Sequence, residues 1–254
     1  MRKSPRRKEA PPGRLVESGA FRIDRRRALE KLKDFQVPDG GGGALLLIRC
    51  AAASGASVIR IHQHPRWLEL RFDGRPFARR ELVDPYGCLF EDSGKASAAR
   101  RYLALGLLRV LRGEPKEVTV RSGAGAERAQ LCIRSLTEDS LEPTPDDRDG
   151  ETVIQASWGA FSGENAAAFH LAKERYLSAC RMSPASICLD DVLIYDHEED
   201  SPAGLAFNAG TTRGVLALPD RLDPNGVNLE FSVYGVAAGQ GVALAAAVLL
   251  GFWA

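Results

Sequence analysis

Residues 45–61, LLLIRCAAASGASVIRI, contain the change of pattern on which the fold depends. The first part is apolar on nearly every side, which predicts a helix buried between a sheet and another helix. Gly55 is suited to end that helix, because glycine readily adopts the left-handed conformation that follows many helix C-termini. SVIRI then alternates polar and apolar residues and predicts a strand. The stretch therefore predicts a buried helix that runs directly into a half-buried strand.

Segments on both sides extend this helix and strand into an α+β unit, residues 19–137. GAFRID (19–24) predicts a short strand, and RRRALEKLKDF (25–35) predicts a helix capped by Asp24. SVIRIHQH and RWLELRFDG predict an antiparallel pair. A long helix, KASAARRYLALGLLRVLRG, should end at Gly113, and two strands, KEVTVRS and RAQLCIRS, should follow it. The glycines at 40–43 lack GxGxxG spacing and predict a flexible connector.

A linker is predicted at residues 138–150, EDSLEPTPDDRDG, because this stretch is acidic, rich in proline and without apolar periodicity. Beyond it, ETVIQASW, SICLDDVLIYD, RGVLALP and NLEFSVYGV predict strands, and NAAAFHLAKERYLSACR predicts a helix. These elements predict a second, smaller α+β domain over residues 151–254.

The overall charge indicates no general preference for nucleic acid or acidic lipid, since 34 Lys and Arg face 33 Asp and Glu. Residues 1–18 are locally basic and predict a disordered tail, with a nucleic-acid contact as the alternative. No apolar run follows the basic start, so a secretory signal is not predicted. The five cysteines are odd in number and form no CxxC pair. They predict reduced thiols in a cytoplasmic protein rather than a zinc site.

The end of the chain, GVALAAAVLLGFWA (241–254), lacks charged residues but is shorter than the roughly 20 apolar residues of a membrane span. It predicts a buried terminal helix, or a chain that is cut within a larger domain. A tail anchor is the less favoured alternative, and membrane contact is not expected. His62 and His64 alternate on a strand without a nearby acid or cysteine, so they are predicted to face solvent rather than a metal.

Three stretches resemble the GHKL ATPases, the group of DNA gyrase, the chaperone HtpG, sensor histidine kinases and MutL. AAASGASVIRI resembles the helix-to-strand passage of the chaperone and MutL branch, and LELRFDGRPFARREL resembles its next strand and turn. CRMSPASICLDDVLI is similar to part of the family's transducer domain. The resemblance covers most of residues 19–235. It implies a two-layer α/β sandwich that binds ATP and Mg²⁺, followed by a transducer-like domain.

The family's diagnostic side chains are replaced in this sequence. The water-activating glutamate and the magnesium-binding asparagine of the helix fall on Leu46 and Cys50, which can neither take a proton from water nor bind a hard cation well. The adenine-reading aspartate of the Asp-x-Gly-x-Gly turn falls on Phe72, with Asp73 one place away. The resemblance leaves four residual pocket positions: Cys50, Asp73, Gly74 and Lys95. The glycine-rich lid, expected between Phe90 and Leu107, keeps two glycines, Gly94 and Gly106.

Three functions follow as hypotheses. The favoured one is a non-catalytic GHKL-like scaffold that binds another, unidentified protein and has no catalytic residue, metal site or cofactor. The alternative is a chaperone-like or MutL-like ATPase that uses ATP and Mg²⁺ and whose motifs have drifted. The third is a nucleic-acid-associated module that acts through residues 1–18 and the arginines at 25–27.

Overall fold

A computed structural model describes residues 24–34, 42–91, 96–144, 150–159, 170–180 and 183–198, and the backbone of four later strands. The helices of this part are α1 (Arg25–Asp34), α2 (Gly42–Ala53), α3 (Arg79–Val83), α4 (Ala98–Arg112) and α5 (Lys173–Cys180). The first eight strands are β1 (Val58–His64), β2 (Trp67–Phe72), β3 (Glu117–Ser122), β4 (Ala129–Ser135), β5 (Glu138–Pro143), β6 (Thr152–Ser157), β7 (Ser186–Leu189) and β8 (Val192–Tyr195). Two hairpins follow, β9 (Leu205–Ala209) with β10 (Thr212–Leu216) and β11 (Val227–Val233) with β12 (Val236–Ala243). The protein is therefore of mixed α+β class, as predicted.

The passage from α2 to β1 forms as the sequence predicts. Gly55 has a φ of 81°, a conformation that favours glycine. Its N–H donates to Ala52 O at 3.1 Å, and Ala56 N donates to Ala51 O at 3.2 Å. These two bonds make a Schellman motif, which satisfies carbonyl groups at the helix end and turns the chain sharply. The turn brings the end of α2 next to the start of β1.

Eight strands form one mixed sheet in the order β5-β4-β3-β6-β2-β1-β7-β8. β1 and β7 are parallel, and the other neighbours are antiparallel. Ile59 and Ile61 of β1 belong to the same buried core as Leu47 and Ile48 of α2, and α4 packs against α2 above this core. The opposite face of the central strands is polar, with Glu69 opposite His62 of β1 and Gln155 of β6. This alternation is what the sequence predicts for the β1–β2 pair.

The predicted linker at residues 138–150 is wrong over Glu138–Pro143, which forms strand β5 at one edge of the sheet. β6, predicted to belong to a second unit, lies between β2 and β3, and β7 pairs with β1. Strands from both sides of the predicted boundary therefore share one sheet. The pattern misled because β5 is an exposed edge strand with only Leu141 half-buried, so it has no buried face to impose an alternation.

Gln63 ties β1 to the segment at the start of α5. Its Oε1 accepts hydrogen bonds from Leu171 N at 2.9 Å and from Tyr176 Oη at 3.1 Å, and its Nε2 donates to Leu171 O at 3.0 Å. Gln63 N donates to Asp190 Oδ1 of the β7–β8 turn at 2.8 Å. One side chain and its own backbone thus join residues that are more than 100 positions apart in the sequence.

Several predictions concern residues outside the described part: the basic tail at 1–18, most of the short strand at 19–24, the start of the helix at 165–181 and the chain end from 244 onward. Within the described part, residues 241–243 belong to β12, so the predicted terminal helix does not begin at 241. Every helix in the described residues is too short or too polar to cross a membrane.

Candidate nucleotide site

The α2 positions at which the resemblance places the glutamate and the asparagine contribute no charged group. Cys50 is fully buried, and burial raises the pKa of its thiol well above the ordinary value. Leu46 is half-buried. A protonated thiol in an apolar core neither accepts a proton from water nor binds Mg²⁺. These two positions therefore supply neither the base nor the metal ligand of the family.

The position of the adenine-reading aspartate lies in the core as well. Phe72 is fully buried and lies opposite Thr152 of β6 in the sheet register. The Thr152 hydroxyl is hydrogen-bonded to Ser122 Oγ at 2.6 Å, and Ser122 Oγ accepts from Phe77 N at 2.8 Å. Both hydroxyls are buried. These polar atoms beneath the expected site therefore bind each other and the backbone of the β2–α3 turn.

Asp73 stabilises the start of β1. Its Oδ1 accepts hydrogen bonds from Ser57 N at 2.8 Å and from Val58 N at 3.0 Å, and its Oδ2 accepts a short hydrogen bond from Ser57 Oγ. Partial burial acts to raise the pKa of this carboxyl, but the hydrogen bonds from Ser57 and Val58 outweigh it and lower the pKa below the ordinary value. Asp73, the carboxylate next to the expected adenine-binding position, thus already accepts hydrogen bonds from the protein's own backbone.

Gly74 holds the β2–α3 turn against the end of α2. A Cβ built at this position would overlap Ser54 Oγ and would lie 2.9 Å from both Ala56 N and Ser54 Cβ. The neighbouring Arg75 N donates to Ser54 O at 2.8 Å. Gly74 is required here because two backbone segments approach closely, as glycine often is. The turn therefore packs directly on the end of the helix at this point.

The predicted lid region contains helix α4, which begins at Ala98 with Ser97 as its cap. Gly106, one of the two glycines expected to serve the lid, lies inside this helix. A Cβ there would lie 2.5 Å from Leu47 Cδ2 of α2, so Gly106 permits close helix packing instead. Lys95 and Gly94 are outside the described residues.

The structure describes three of the four residual pocket positions, Cys50, Asp73 and Gly74. They lie near the α2–β1 passage, but the side chains of Cys50 and Asp73 do not face one shared site. Cys50 points into the core, whereas Asp73 is largely exposed and bonded to the start of β1. The Ser122–Thr152 pair was missed by sequence reasoning, because neither residue belongs to a motif and the two are 30 positions apart. Phe72 and Thr152 become neighbours through sheet pairing alone.

Of the two histidines of β1, His64 faces solvent as predicted, whereas His62 is only partly exposed. His64 is exposed and stacks on Trp67, with ring centroids 5.4 Å apart. His62 Nε2 lies 3.7 Å from Asp191 Oδ1. Among the described residues, no group of three or more His, Cys, Asp or Glu side chains is arranged to hold a metal ion. All five cysteines are free thiols.

No protein-family model matches the chain, and no curated protein matches it significantly.

Proposed function

We propose that this protein is a non-catalytic scaffold with a GHKL-like fold, in which the former ATP site has become part of the core and the remaining surface binds another protein. One observation carries the proposal: the positions that would hold ATP and Mg²⁺ are filled by Cys50 and Phe72, both fully buried. A buried polar group without a partner costs about 1 to 3 kcal/mol, so the apolar replacements favour the folded state once no ligand is bound there.

The residues around these positions support the same proposal. Asp73 bonds to Ser57 and Val58, and Gly74 packs on Ser54. A nucleotide would have to displace these contacts and would gain neither a metal ligand nor an adenine acceptor in return. Breaking the contacts of the turn would therefore lower the affinity for a nucleotide. The scaffold belongs to the cytoplasm, where five free thiols remain reduced.

Calorimetric titration of the full chain with ATP and Mg²⁺ tests the proposal. We expect a Kd no tighter than millimolar, which corresponds to about −4 kcal/mol, and we expect Asp73→Asn to leave the titration unchanged. A micromolar affinity in the wild type that is lost in Asp73→Asn would replace the scaffold by the ATPase hypothesis. ADP and GTP serve as matched ligands, because weak phosphate binding alone would not distinguish the three nucleotides.

A further inference from the structure

A cluster of arginines surrounds helix α3, next to the turn that contains Gly74. We define the arginine surface as Arg25, Arg75, Arg79, Arg80 and Arg100, which come from the start of α1, the β2–α3 turn, α3 itself and the first turn of α4. Three acids lie among them: Glu81, Asp84 and Glu91. The surface therefore has an excess of positive charge, and every cation that defines it is arginine.

Ion pairs connect three of these arginines to acids in or next to α3. Arg75 Nη2 lies 3.1 Å from Glu81 Oε1, and Arg100 Nε lies 3.8 Å from the same oxygen. Glu81 therefore brings the β2–α3 turn and the start of α4 together. Glu91, bound by Arg100 at 3.3 Å, follows Phe90 in the sequence.

The same surface continues to α1. Arg25 Nη2 lies 2.7 Å from Asp84 Oδ2, just after α3, and its guanidinium lies 5.2 Å from the centre of the Phe90 ring. The three contacting segments are thus held in fixed relation around α3. These ion pairs hold the guanidinium groups of Arg25, Arg75 and Arg100.

Two members of the set differ from the other three in their ion pairing. Arg79 and Arg80 are exposed and form no ion pair with any residue that the structure describes. Arg25 and Arg75 stay about half exposed in spite of their ion pairs, at 52% and 55%. The Arg25–Asp84 pair is about half exposed on both sides and contributes little stability, so an incoming anion can replace Asp84 at low cost.

The positive charge of the chain is concentrated in the sequence that precedes α1. Residues 1–23, which lead directly into α1, contain seven Lys or Arg and two Glu, a net charge of +5, although the whole chain has a net charge of only +1. The remainder of the chain therefore has a net charge of −4. A basic stretch of sequence next to α1 attracts a polyanion more strongly than the net charge of the whole chain indicates.

We propose that the arginine surface binds the phosphate backbone of double-stranded nucleic acid without reading its sequence. The guanidinium fork matches phosphate oxygens with paired donors, as lysine does not. A duplex offers one charge per about 1.7 Å of axis, twice the density of a single strand. Single-strand sites also use exposed aromatic rings for stacking. Within the described part of the arginine surface Tyr86 is buried, and Phe90 is half-buried under Arg25.

Fluorescence anisotropy with the full chain and a labelled DNA duplex of about 20 base pairs, at about 50 to 200 mM KCl, tests the inference. Five phosphate contacts would give a slope of log K against log salt of about −4 to −5. The double variant Arg79→Glu/Arg80→Glu should reduce this slope by about 2 and raise the Kd by about tenfold or more at the lower salt concentrations. Circular dichroism should show unchanged folding, because both side chains are exposed.

A matched control is the double variant Lys173→Glu/Arg175→Glu, which makes the same change in net charge on exposed positions of α5. α5 packs near β8, at the opposite end of the sheet from β4, which α3 contacts. We expect the control to bind within about twofold of wild type, because the basic residues 1–23 are present in both variants and their contribution cancels. Equal losses in both variants, or no loss in Arg79→Glu/Arg80→Glu, would overturn the inference.

Two further competition measurements identify the class of polyanion that the arginine surface binds. A single-stranded oligonucleotide of the same length should compete at least several-fold more weakly than the duplex, since its charge density is lower. Vesicles that contain phosphatidylserine should compete more weakly still. If vesicles compete as well as the duplex, the surface belongs to a membrane contact and the inference is wrong. Neither result bears on the ATP titration, so the two proposals fail separately.

Discussion

Replacing Asp73 by alanine removes the carboxylate that holds the start of β1. Three hydrogen bonds are lost, from Ser57 N, Val58 N and Ser57 Oγ. The site is comparable to a helix N-cap, because one exposed carboxylate accepts backbone N–H groups that water can partly replace. Removing such a cap costs about 0.5 to 2 kcal/mol, and we expect Asp73→Ala to cost about 1 to 2 kcal/mol at neutral pH. For a chain of this size the melting temperature should fall by about 2 to 8 °C.

The loss should depend on pH with a defined sign. Hydrogen bonds lower the folded-state pKa of Asp73, so its carboxylate stabilises the fold fully above its unfolded pKa of about 3.9. That contribution disappears as the pH falls through the lower, folded-state pKa. The difference in unfolding free energy between wild type and Asp73→Ala should therefore be constant above about pH 5 and should shrink below about pH 4.

Urea denaturation followed by circular dichroism, at about pH 7 and about pH 3.5, measures both effects. Asp73→Asn is the matched variant: it keeps one oxygen for the backbone N–H groups, and Asn caps almost as well as Asp. It should cost less than Asp73→Ala and should remove the pH-dependent part. Equal stability of wild type and Asp73→Ala at neutral pH, or a difference that grows in acid, would refute this account of the α2–β1 passage.

Two other substitutions test how the passage and the sheet are held. Gly74→Ala should cost about 1 to 3 kcal/mol of unfolding free energy through overpacking on Ser54 and Ala56. The cost should be smaller in a Ser54→Ala background, because the overlap with Ser54 Oγ is then gone. Equal costs in the two backgrounds of this double-mutant cycle would contradict the contact. Gln63→Ala leaves Leu171 N and O and Tyr176 Oη without their partner. We expect the unfolding free energy to fall by about 2 to 4 kcal/mol, in a single transition. The control Gln155→Ala should lower it by about 0.5 kcal/mol. A separate early transition of residues 150–198 would show instead that β1 and α5 unfold independently.

Local chemistry made much of the fold predictable. Gly55 ends α2 because of its own backbone freedom, Asp24 caps α1 and Gly113 follows α4, and each of these depends only on neighbouring residues. The β1–β2 hairpin was predictable because one buried face imposes a period of two. β5 was missed because it is exposed and has no such face.

The candidate site was predictable in part. The sequence alone showed that Leu46, Cys50 and Phe72 replace the residues that the resemblance implies, since identity is a local property. It did not show that Asp73 bonds to Ser57 and Val58, because those partners lie 16 and 15 positions away. Nor did it show why Gly74 is needed, because its φ is not positive and the approach of Ser54 and Ala56 is what excludes a side chain.

By itself, the sequence determined the identities, charges and local conformational preferences along the chain: an apolar helix, a glycine that ends it, alternating strands and a basic run before α1. Only the tertiary structure decided which of these meet. β6 enters the sheet between β2 and β3, so Phe72 lies opposite Thr152, and α3 gathers arginines from three separate segments. The physical reason is that side-chain preference acts over a few residues, whereas strand pairing and ion pairing depend on the path of the whole chain through space.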